Sequence, residues 1–548
     1  MLKKSYLYNF FTAISVFLFA SCAQQVSPTG GAIDKDPPKL LRSEPMDSAL
    51  NFQGNEINLK FNEYIQLNDA QNQLLISPPL KEQPELVLKN KELKLKLKNI
   101  VLKQNTTYTV SFGSSIADIT ENNADEDFSF VFSTGEQLDT GKLKGVVKSA
   151  KDLLPQKGVF VMLYKNQEDS VLYKHLPDYI AKTNKDGAFS IEHVSKGEYK
   201  IVALKDINQN YLYDQPTEEI AFIDTLIKEN GLMDLFLFSE NNQKQFVQKV
   251  KDEAYGLVQV IMNKPLIKPE IITIGKKNWL YSSFSTNNDT ISFWYQNSSN
   301  DSLKVIVKDG ASTSDTVLVP YKTLEPTKTA SGKGTRGQQL KFIVTTIAGQ
   351  SGVMRPDEKV SFIFNYPLKS IDTSKIVLFQ GEKKMQIKFS AETFGLMQTT
   401  ALNLFQPAES YKLIVLPGAF KDIFGLTNDT LKAEFKVGEK ENYGNLILSI
   451  KPKDSSASFI LTLLDAKDKP ISNRFLNQND FNSGKAIVNF NYLLPGEYSL
   501  KLTIDNNANN KWDTGEYLKH LQPEKIIFSG SKIQIRENWD NEQEWIVE

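Results

Sequence analysis

The chain has 548 residues, with 65 acidic and 64 basic side chains, and aromatic residues make up 11% of it. This length exceeds what one hydrophobic core usually supports, and it predicts about four or five domains of roughly 100 residues each. The formal net charge of −1 gives no indication of binding to nucleic acid or to an anionic membrane. The many aromatic residues exclude a chain that is mainly a disordered tail.

The N-terminus has the pattern of an export signal. Lys3 and Lys4 precede an apolar run of roughly ten residues that ends at Ala20, which fits a signal peptide and is too short to span a bilayer. Ser21 and then Cys22, the single cysteine of the chain, follow at once. A lone cysteine cannot form an internal disulfide. The order of these residues resembles the bacterial lipobox, and this resemblance implies that Cys22 is a lipid attachment site. The alternative is an ordinary signal peptide with a chance cysteine.

The sequence predicts a lipid anchor and no transmembrane helix. Beyond the N-terminal run, no segment approaches the roughly 18 consecutive apolar residues that such a helix needs. Several acyl chains on Cys22 would hold the chain on a membrane, since each buried CH₂ contributes about 0.8 kcal/mol. We expect residues 1–21 to be removed as a signal peptide and residues 22–36 to form a flexible tether, because their Gly-Gly pair and the following Pro-Pro pair disfavour helix and sheet.

After the tether, apolar residues alternate with polar ones almost throughout, which is typical of half-buried antiparallel strands. The clearest runs are Ile57, Leu59 and Phe61; Leu93, Leu95 and Leu97; Tyr108, Val110 and Phe112; and Phe128, Phe130 and Phe132. Residues 243–251 are the best candidate for a helical turn. The sequence therefore predicts an all-β chain.

An internal repeat organises the chain. NEINLKFNEYI near Glu56 returns as DEKVSFIFNYPL near Glu358, and the segment from Asn105 returns from Ala408, each about 300 residues later. A segment that begins GAFSIEHV returns as KAIVNFNY near the C-terminus. We expect five modules in the order A-B-M-A′-B′, where M has no partner: A 37–136, B 140–240, M 245–340, A′ 341–438 and B′ 442–548.

Module A resembles the bacterial Ig-like domain of surface-layer and cell-surface proteins, on Pro37-Pro38, the turn Ser43-Glu44-Pro45, LKFNEYI and the closing FSFVFSTG. Module B resembles the transthyretin-like sandwich of carboxypeptidase regulatory domains and adhesin stalks, on GKLKGVV, TNKDGAFSI and GEYKIVALKD. Both resemblances imply tandem β-sandwiches and say little about function.

The N-terminus resembles the bacterial lipobox, which implies cleavage before Cys22 and acylation of this cysteine, although Phe19 stands where Leu is usual. The whole arrangement resembles the Ig-like outer-membrane lipoproteins of Bacteroidota, on the Pro-Thr-Gly-Gly tether of residues 28–31. That resemblance implies a lipid-anchored outer-membrane protein, at the cell surface in preference to the periplasmic face. Residues 23–26 lack the acidic cluster that usually directs surface export, so the leaflet stays open.

A repeated acidic loop is the sharpest chemical motif. Asp505, Asn507, Asn509, Lys511, Asp513 and Glu516 occupy positions 1, 3, 5, 7, 9 and 12 of an EF-hand-like calcium loop. This spacing lets one short loop wrap hard oxygen ligands around an ion, with Lys511 offering only its backbone carbonyl. The earlier, weaker copy has Asp206, Asn208, Asn210, Asp214 and Glu218, with the glutamate one residue late. The loops resemble the calcium loops of adhesin modules. The alternative is an Asn/Asp-rich turn that binds nothing.

Seven Asp-Ser/Thr-aliphatic triplets resemble the O-glycosylation acceptor of exported Bacteroidota proteins. A polar turn that leads into a strand would produce the same triplet. The acceptor hydroxyls would belong to Ser48, Ser170, Thr225, Thr290, Ser302, Thr316 and Thr430.

No catalytic constellation is evident. The three histidines, His175, His193 and His520, are widely separated in the sequence, and no serine-hydrolase, zinc-protease, P-loop or Rossmann motif occurs. A glycosidase-type pair of carboxylates would carry no sequence signal. We expect no catalytic residues and no required cofactor, with structural calcium as the one candidate.

The sequence therefore predicts a non-enzymatic outer-membrane lipoprotein that acts as a binding or scaffold subunit. By the lipoprotein resemblance, the partner would be an outer-membrane β-barrel complex, in barrel-protein assembly or surface-lipoprotein export. The alternative is a cell-surface adhesin or glycan-binding stalk. The sequence gives neither the identity of the partner nor the oligomeric state.

Overall fold

The computed structural model describes residues 34–240, 245–254, 256–274, 279–285, 288–295, 303–310, 312–319, 327–328, 335–336, 342–347, 353–389, 395 and 397–547. The predicted signal peptide, Cys22, most of the predicted tether and Ser302 lie outside the described residues. The described chain divides into two compact units. One contains residues 34–147, 156–213 and 223–235, and the other contains 148–155, 214–222 and 236–547. The predicted all-β fold of tandem sandwiches is confirmed.

Module A is a sandwich with two main sheets, β1-β2-β6-β5 and β4-β7-β9, and a pair, β3-β8. Its strands are β1 Leu40–Glu44, β2 Glu56–Phe61, β3 Ile65–Leu67, β4 Leu75–Ser77, β5 Glu85–Lys89, β6 Glu92–Lys96, β7 Thr107–Ser111, β8 Ile116–Asp118 and β9 Ser129–Ser133, with a helical turn at Ala70–Gln73 and a 3₁₀ turn at Gly113–Ser115. The alternating apolar residues of β2, β6, β7 and β9 meet in one core, where the rings of Tyr108 and Phe132 stack at 5.3 Å.

Module B has β11 between β12 and β14, β16 on β14, and the pairs β10-β13 and β15-β17. Its strands are β10 Gly141–Ser149, β11 Phe160–Tyr164, β12 Tyr179–Lys182, β13 Ala188–Val194, β14 Glu198–Lys205, β15 Glu219–Phe222, β16 Ile227–Lys228 and β17 Asn230–Ser239, with a helical turn at Val171–Lys174. Modules A and B join through buried contacts: the N–H of Ile180 in β12 donates to Ser77 Oγ at the end of β4, at 3.1 Å.

Module M, which has no repeat partner in the sequence, is a seven-stranded sandwich with sheets β18-β19-β22-β21 and β20-β23-β24. Its strands are β18 Val247–Ala254, β19 Leu257–Met262, β20 Pro269–Ile274, β21 Trp279–Phe284, β22 Thr290–Tyr295, β23 Leu303–Asp309 and β24 Ser312–Val319. If strands β18 to β24 are lettered a to g in chain order, the two sheets have the orders a-b-e-d and c-f-g. This is the arrangement of an immunoglobulin constant domain. Two short strands, β25 Thr327–Lys328 and β26 Thr335–Arg336, follow it.

The helical turn predicted at 243–251 is wrong, because Val247–Ala254 forms strand β18 and pairs with β19. The register of this pair shifts between Val247 and Lys249 and again between Lys251 and Ala254. A bulge inserts an extra residue, which breaks the period of two and gives Val247 and Val250 a helix-like spacing. Pairing with the buried, alternating face of β19 decides the structure.

Module A′ repeats the central strand orders of module A, but β32 pairs with β31 whereas β5 of module A pairs with β6. Its strands are β27 Val344–Ile347, β28 Val353–Met354, β29 Ser361–Phe364, β30 Leu368–Ile371, β31 Ile376–Gln380, β32 Lys383–Gln386, β33 Gln398–Thr400, β34 Ser410–Val415, β35 Phe420–Asp422 and β36 Leu431–Val437, with a 3₁₀ turn at Thr373–Lys375. Sheet β27-β29-β33 corresponds to β1-β2-β6, the pair β30-β35 to β3-β8, and β31-β34-β36 to β4-β7-β9. Trp294 of module M packs edge-on against Tyr366 of A′, with 5.9 Å between ring centroids.

Module B′ repeats module B. Its strands are β37 Gly444–Pro452, β38 Ser458–Leu464, β39 Pro470–Leu476, β40 Ala486–Leu493, β41 Gly496–Asp505, β42 Ile526–Phe528, β43 Ile533–Ile535 and β44 Asp540–Val547, with 3₁₀ turns at Lys440–Asn442, Gln478–Asp480 and Tyr517–Lys519. The run β39-β38-β41 with β43 on β41 corresponds to β12-β11-β14 with β16 on β14, and β37-β40 corresponds to β10-β13. Several connections differ in length; among them, residues 506–525 correspond to 206–218, and residues 536–539 to residue 229 alone.

Candidate functional site: the paired acidic loops

The first acidic loop, residues 206–218, follows β14. The carboxylate of Asp206 accepts the backbone N–H groups of Gln209 and Tyr211, both at 2.7 Å. Gln209 and Tyr211 have positive φ angles of 56° and 62°, which turn the chain around that carboxylate. Further along, the side-chain oxygen of Asn210 accepts the N–H of Leu212 at 2.8 Å. Hydrogen bonds from the backbone to inward-pointing carboxylate and amide oxygens therefore hold the loop in its conformation.

The second acidic loop, residues 505–516, follows β41, the strand equivalent to β14. Asp505 is only 2% exposed, and its carboxylate accepts the N–H groups of Asn509 at 3.1 Å and Asn510 at 2.7 Å. The positive φ angles fall at Ala508 (56°) and Asn510 (63°), in the same pattern as in the first loop. The side-chain amide of Asn509 donates to Asp513 Oδ2 at 2.7 Å, as does that of Asn507 at 2.5 Å. The repeat thus extends to the backbone conformation of the loop.

The structure does not bring Glu516 into the second loop. Its carboxylate pairs with Lys519 Nζ at 2.8 Å. Glu524 takes the inner position: it is 5% exposed and accepts the N–H groups of Asn506 at 2.7 Å and Asp513 at 3.0 Å. Burial raises the pKa of Glu524, and the nearby charges of Asp505 and Asp513 raise it further.

Glu218 occupies the corresponding position in the first loop. It is 1% exposed, and its carboxylate accepts the N–H groups of Asp214 at 3.1 Å and Gln215 at 3.0 Å. Sequence reasoning missed Glu524 because residues 514–523 separate it from Asp513, whereas only residues 215–217 separate Glu218 from Asp214. The signal that could have found it is the difference in length between the two loops.

Each loop offers carboxylates and amide oxygens, the hard donors that calcium prefers. Within the described part of the chain, no group of three His, Cys, Asp or Glu side chains is arranged to hold a metal ion. Calcium can also bind asparagine oxygens and backbone carbonyls, which such a group does not include. Lys511 would contribute only its backbone carbonyl. Calcium binding at either loop therefore stays a prediction.

The inserted residues 514–522, which we call the docking loop, carry a buried aromatic anchor. Tyr517 is 1% exposed, and its ring meets Phe222 of β15 edge-on at 5.1 Å. Its backbone N–H donates to the carboxylate of Glu240. Thr514 Oγ1 donates to the carbonyl of Ser239 at 2.6 Å, and Gln522 Nε2 donates to that of Phe222 at 3.1 Å. The insertion is thus held against β15 and the end of β17 by one ring and three hydrogen bonds.

Close packing restricts the docking loop to glycine at one position. A Cβ atom added at Gly515 would lie 2.7 Å from a ring carbon of Phe238, closer than real Cβ atoms approach. Phe238 is 2% exposed and lies 6.0 Å from Phe222 between ring centroids. The contact surface is therefore tightly packed.

Modules A and A′ carry equivalent buried aspartates in different environments. Burial acts to raise the pKa of Asp118, but four backbone N–H groups donate to its carboxylate and hold the pKa below its usual range. Burial raises the pKa of Asp422, whose Oδ1 accepts the N–H groups of Phe424 and Leu426 and whose buried Oδ2 has no partner among the described residues. The two copies should therefore respond oppositely to pH.

The predicted glycosylation hydroxyls differ in accessibility. Ser48, Thr225, Thr316 and Thr430 are exposed, whereas Ser170 and Thr290 are half-buried. The hydroxyl of Thr290 donates to Asp289 at 3.0 Å. Four of the six positions that the structure describes therefore present an accessible acceptor.

The three histidines differ in their surroundings. His175 and His520 are exposed, and a ring nitrogen of His193 lies 2.9 Å from the carbonyl of Asp139. The described residues also contain no helix of the length and apolarity that crossing a membrane requires.

Comparison with known proteins identifies one domain. Residues 34–134 match the family of the bacterial Ig-like domain. No curated protein matches the chain. Among solved structures, the Bacillus anthracis TIE protein has 11% identity, with 100% of this chain and 80% of that chain covered and a TM-score of 0.15.

Two further similar structures come from surface proteins. Domains 1–6 of the surface layer protein SbsC have 10% identity, with 91% of this chain and 67% of that chain covered and a TM-score of 0.15. The Bacteroides ovatus protein SGBP-B, solved with a mixed-linkage heptasaccharide, has 9% identity, coverage of 73% and 95%, and a TM-score of 0.18. Likeness at these TM-scores carries no argument about this chain.

Proposed function

We propose that the chain is a non-enzymatic outer-membrane lipoprotein that serves as a binding or scaffold subunit of an outer-membrane protein complex. The partner is an outer-membrane β-barrel protein, and the complex acts in barrel-protein assembly or surface-lipoprotein export. Cys22 carries the lipid, and the cell surface is the favoured face.

The observation that carries this proposal is the way in which the modules are joined. A and B meet through the buried bond between Ile180 and Ser77, and M and A′ meet through Trp294 and Tyr366. Buried junctions hold neighbouring sandwiches in fixed orientations, whereas polar linkers would leave them free. A scaffold needs this property, since binding by a preorganised surface loses little conformational entropy.

The accessible surface supports binding more than catalysis. The buried acids Glu218 and Asp505 of the two loops accept backbone N–H groups, which fixes them in structural positions. A general acid or base must reach a substrate proton within hydrogen-bond distance. Buried carboxylates that already hold the backbone are poorly placed for this role.

The test is affinity purification of the tagged full chain from native envelopes in mild detergent, followed by mass spectrometry. We expect one outer-membrane β-barrel protein to co-purify in an amount comparable to the bait. A Cys22→Ser chain is the matched control, because its modules are unchanged while its anchor is lost. Recovery of the bait alone from the anchored preparation would contradict the scaffold role.

The same variant tests the anchor. Cys22→Ser should move the protein from the outer-membrane fraction to the soluble fraction, since acyl chains provide the membrane affinity. Equal fractionation of wild type and variant, with no partner to explain it, would refute a lipid anchor at Cys22.

The second candidate function is a surface adhesin or glycan-binding stalk. An exposed tryptophan beside a cavity in module B′ favours it. An adhesin binds its ligand as a purified protein, whereas a complex subunit co-purifies with its β-barrel partner.

A further inference from the structure

Module B′ has a cavity of about 420 Å³ at one end of its β40-β37-β44 sheet. It opens where β37 and β44 begin and β40 ends, and its wall includes residues of the 3₁₀ turn Lys440–Asn442. This volume is within the range of small-molecule pockets, about 300–1,000 Å³. The cavity shares no residue with either acidic loop or with the docking loop.

Three aromatic side chains line the cavity. Trp539 is 62% exposed, although it is the most apolar of the three. Tyr443 is buried, and its ring meets that of Tyr492 edge-on, with 6.1 Å between the centroids. An indole left in water loses the stabilisation that burial would give it, and Trp is enriched where an apolar face and a polar handle both contact a ligand. The cavity therefore offers an unused ring face at its mouth.

Asparagine side chains supply the polar part of the lining. Asn445 is already engaged: its amide donates to Asp540 Oδ1 at 2.7 Å and its oxygen accepts the N–H of Tyr492 at 3.1 Å. Asn491 and Asn538 also line the cavity, and their side chains are exposed. A carboxamide both donates and accepts hydrogen bonds, so each exposed amide can bind a hydroxyl group in either direction.

The charges of the lining indicate a neutral ligand. Lys440 and Asp540 are its only charged side chains, one of each sign. Nucleic acid and other polyanions are bound by an excess of basic groups, which this cavity lacks. A ligand that matches a ring face, amides and no net charge is rich in hydroxyl groups and has an apolar face of C–H bonds.

The first copy of the module serves as an internal control. His193 of module B occupies the position of Tyr492, one residue before the strand end and with nearly the same φ, 58° against 54°. Its ring contacts the carbonyl of Asp139. Trp539 lies on residues 536–539, where module B has residue 229 alone. The aromatic cavity is therefore a property of B′ and does not follow from the sandwich fold.

From this geometry we infer that the cavity of B′ binds a neutral oligosaccharide. Trp539 stacks on the C–H face of one sugar ring, and Asn491 and Asn538 hydrogen-bond to its hydroxyl groups. This inference names the site and ligand class of the second candidate function and is independent of the scaffold role.

The test uses the purified chain from residue 23 onward, without envelope components. Its binding is measured on an array of neutral glycans and by titration with a soluble β-glucan, a xylan, a galactomannan and an α-glucan. The variants are Trp539→Ala, Trp539→Phe and Asn491→Ala. Ile546→Ala is the matched control, because Ile546 lies on β44, the strand that directly follows Trp539, is also 62% exposed and is absent from the cavity lining. Thermal unfolding confirms that each variant is folded.

We expect the wild type and Ile546→Ala to bind the same neutral glycan with equal affinity. Trp539→Ala should weaken binding by tenfold or more, since a central aromatic anchor contributes at least about 1.4 kcal/mol. Trp539→Phe should retain part of the affinity, and Asn491→Ala should lose part of it. Absence of binding to every neutral glycan, or equal binding by Trp539→Ala, would overturn the inference. Neither result bears on the barrel complex, which is tested in native envelopes.

Discussion

The docking loop gives the most quantitative prediction. Tyr517 is 1% exposed and contacts Phe222 edge-on, and truncation of a buried large aromatic side chain typically costs about 3–5 kcal/mol. The edge-to-face contact contributes about 0.5–1.5 kcal/mol of this. We therefore expect Tyr517→Ala to shift the equilibrium from docked to undocked loop by roughly 10²–10³-fold, since about 1.4 kcal/mol corresponds to a factor of ten.

Limited proteolysis measures this shift. Lys519 lies inside the docking loop, and cleavage through a fast local opening follows the population of the open form. Trypsin should cut after Lys519 much faster in Tyr517→Ala, and only slightly faster in Tyr517→Phe. Leu518→Ala is the control, because Leu518 is adjacent in sequence and 57% exposed. Cleavage of Tyr517→Ala within threefold of the wild type would refute the anchoring role of this ring.

Three other predictions concern calcium, pH and modification. If the second acidic loop binds calcium, the ion should stabilise the chain by about 2.7 kcal/mol at a hundredfold excess over its Kd; chelator should reverse the rise in Tm, and Asp505→Ala should abolish it. An unchanged wild-type Tm would make the loop a polar turn. Relative to Asp422→Asn, the wild type should lose stability as pH rises from 3.8 toward the raised folded-state pKa of Asp422. Relative to Asp118→Asn, it should lose stability as pH falls below 3.8 toward the lowered pKa of Asp118. Melting curves between pH 3 and 7 test both, and shifts of equal sign would contradict the assignment. Protein from the native host should have an intact mass above the unmodified value, from sugar on the exposed Asp-Ser/Thr hydroxyls; an unmodified mass would exclude glycosylation.

The sequence predicted the fold well where local pattern and burial agree. The alternation at Ile57, Leu59 and Phe61 gives a strand with all three side chains buried. At Val247–Ala254, bulges disturb the period, and only the partner strand β19 decides the structure. The pattern of apolar residues within one strand does not show which strand it pairs with.

The candidate site was predictable only in part, because residues distant in sequence complete it. Asp505 and Asn509 were found from their spacing, since the loop winds around its own side chains. Glu524 was missed because an insertion carries it away from the motif. Trp539 and Tyr492 gave no signal, since their cavity forms only when three strand ends meet.

Cross-linking in intact cells, followed by mass spectrometry, tests the central claim of a scaffold subunit most directly. Exposed lysines of the modules, such as Lys268 and Lys519, supply reactive amines. The proposal predicts cross-links from at least two modules to one outer-membrane β-barrel protein, which disappear in the Cys22→Ser strain. Cross-links confined to the chain itself, with equal patterns in both strains, would contradict it.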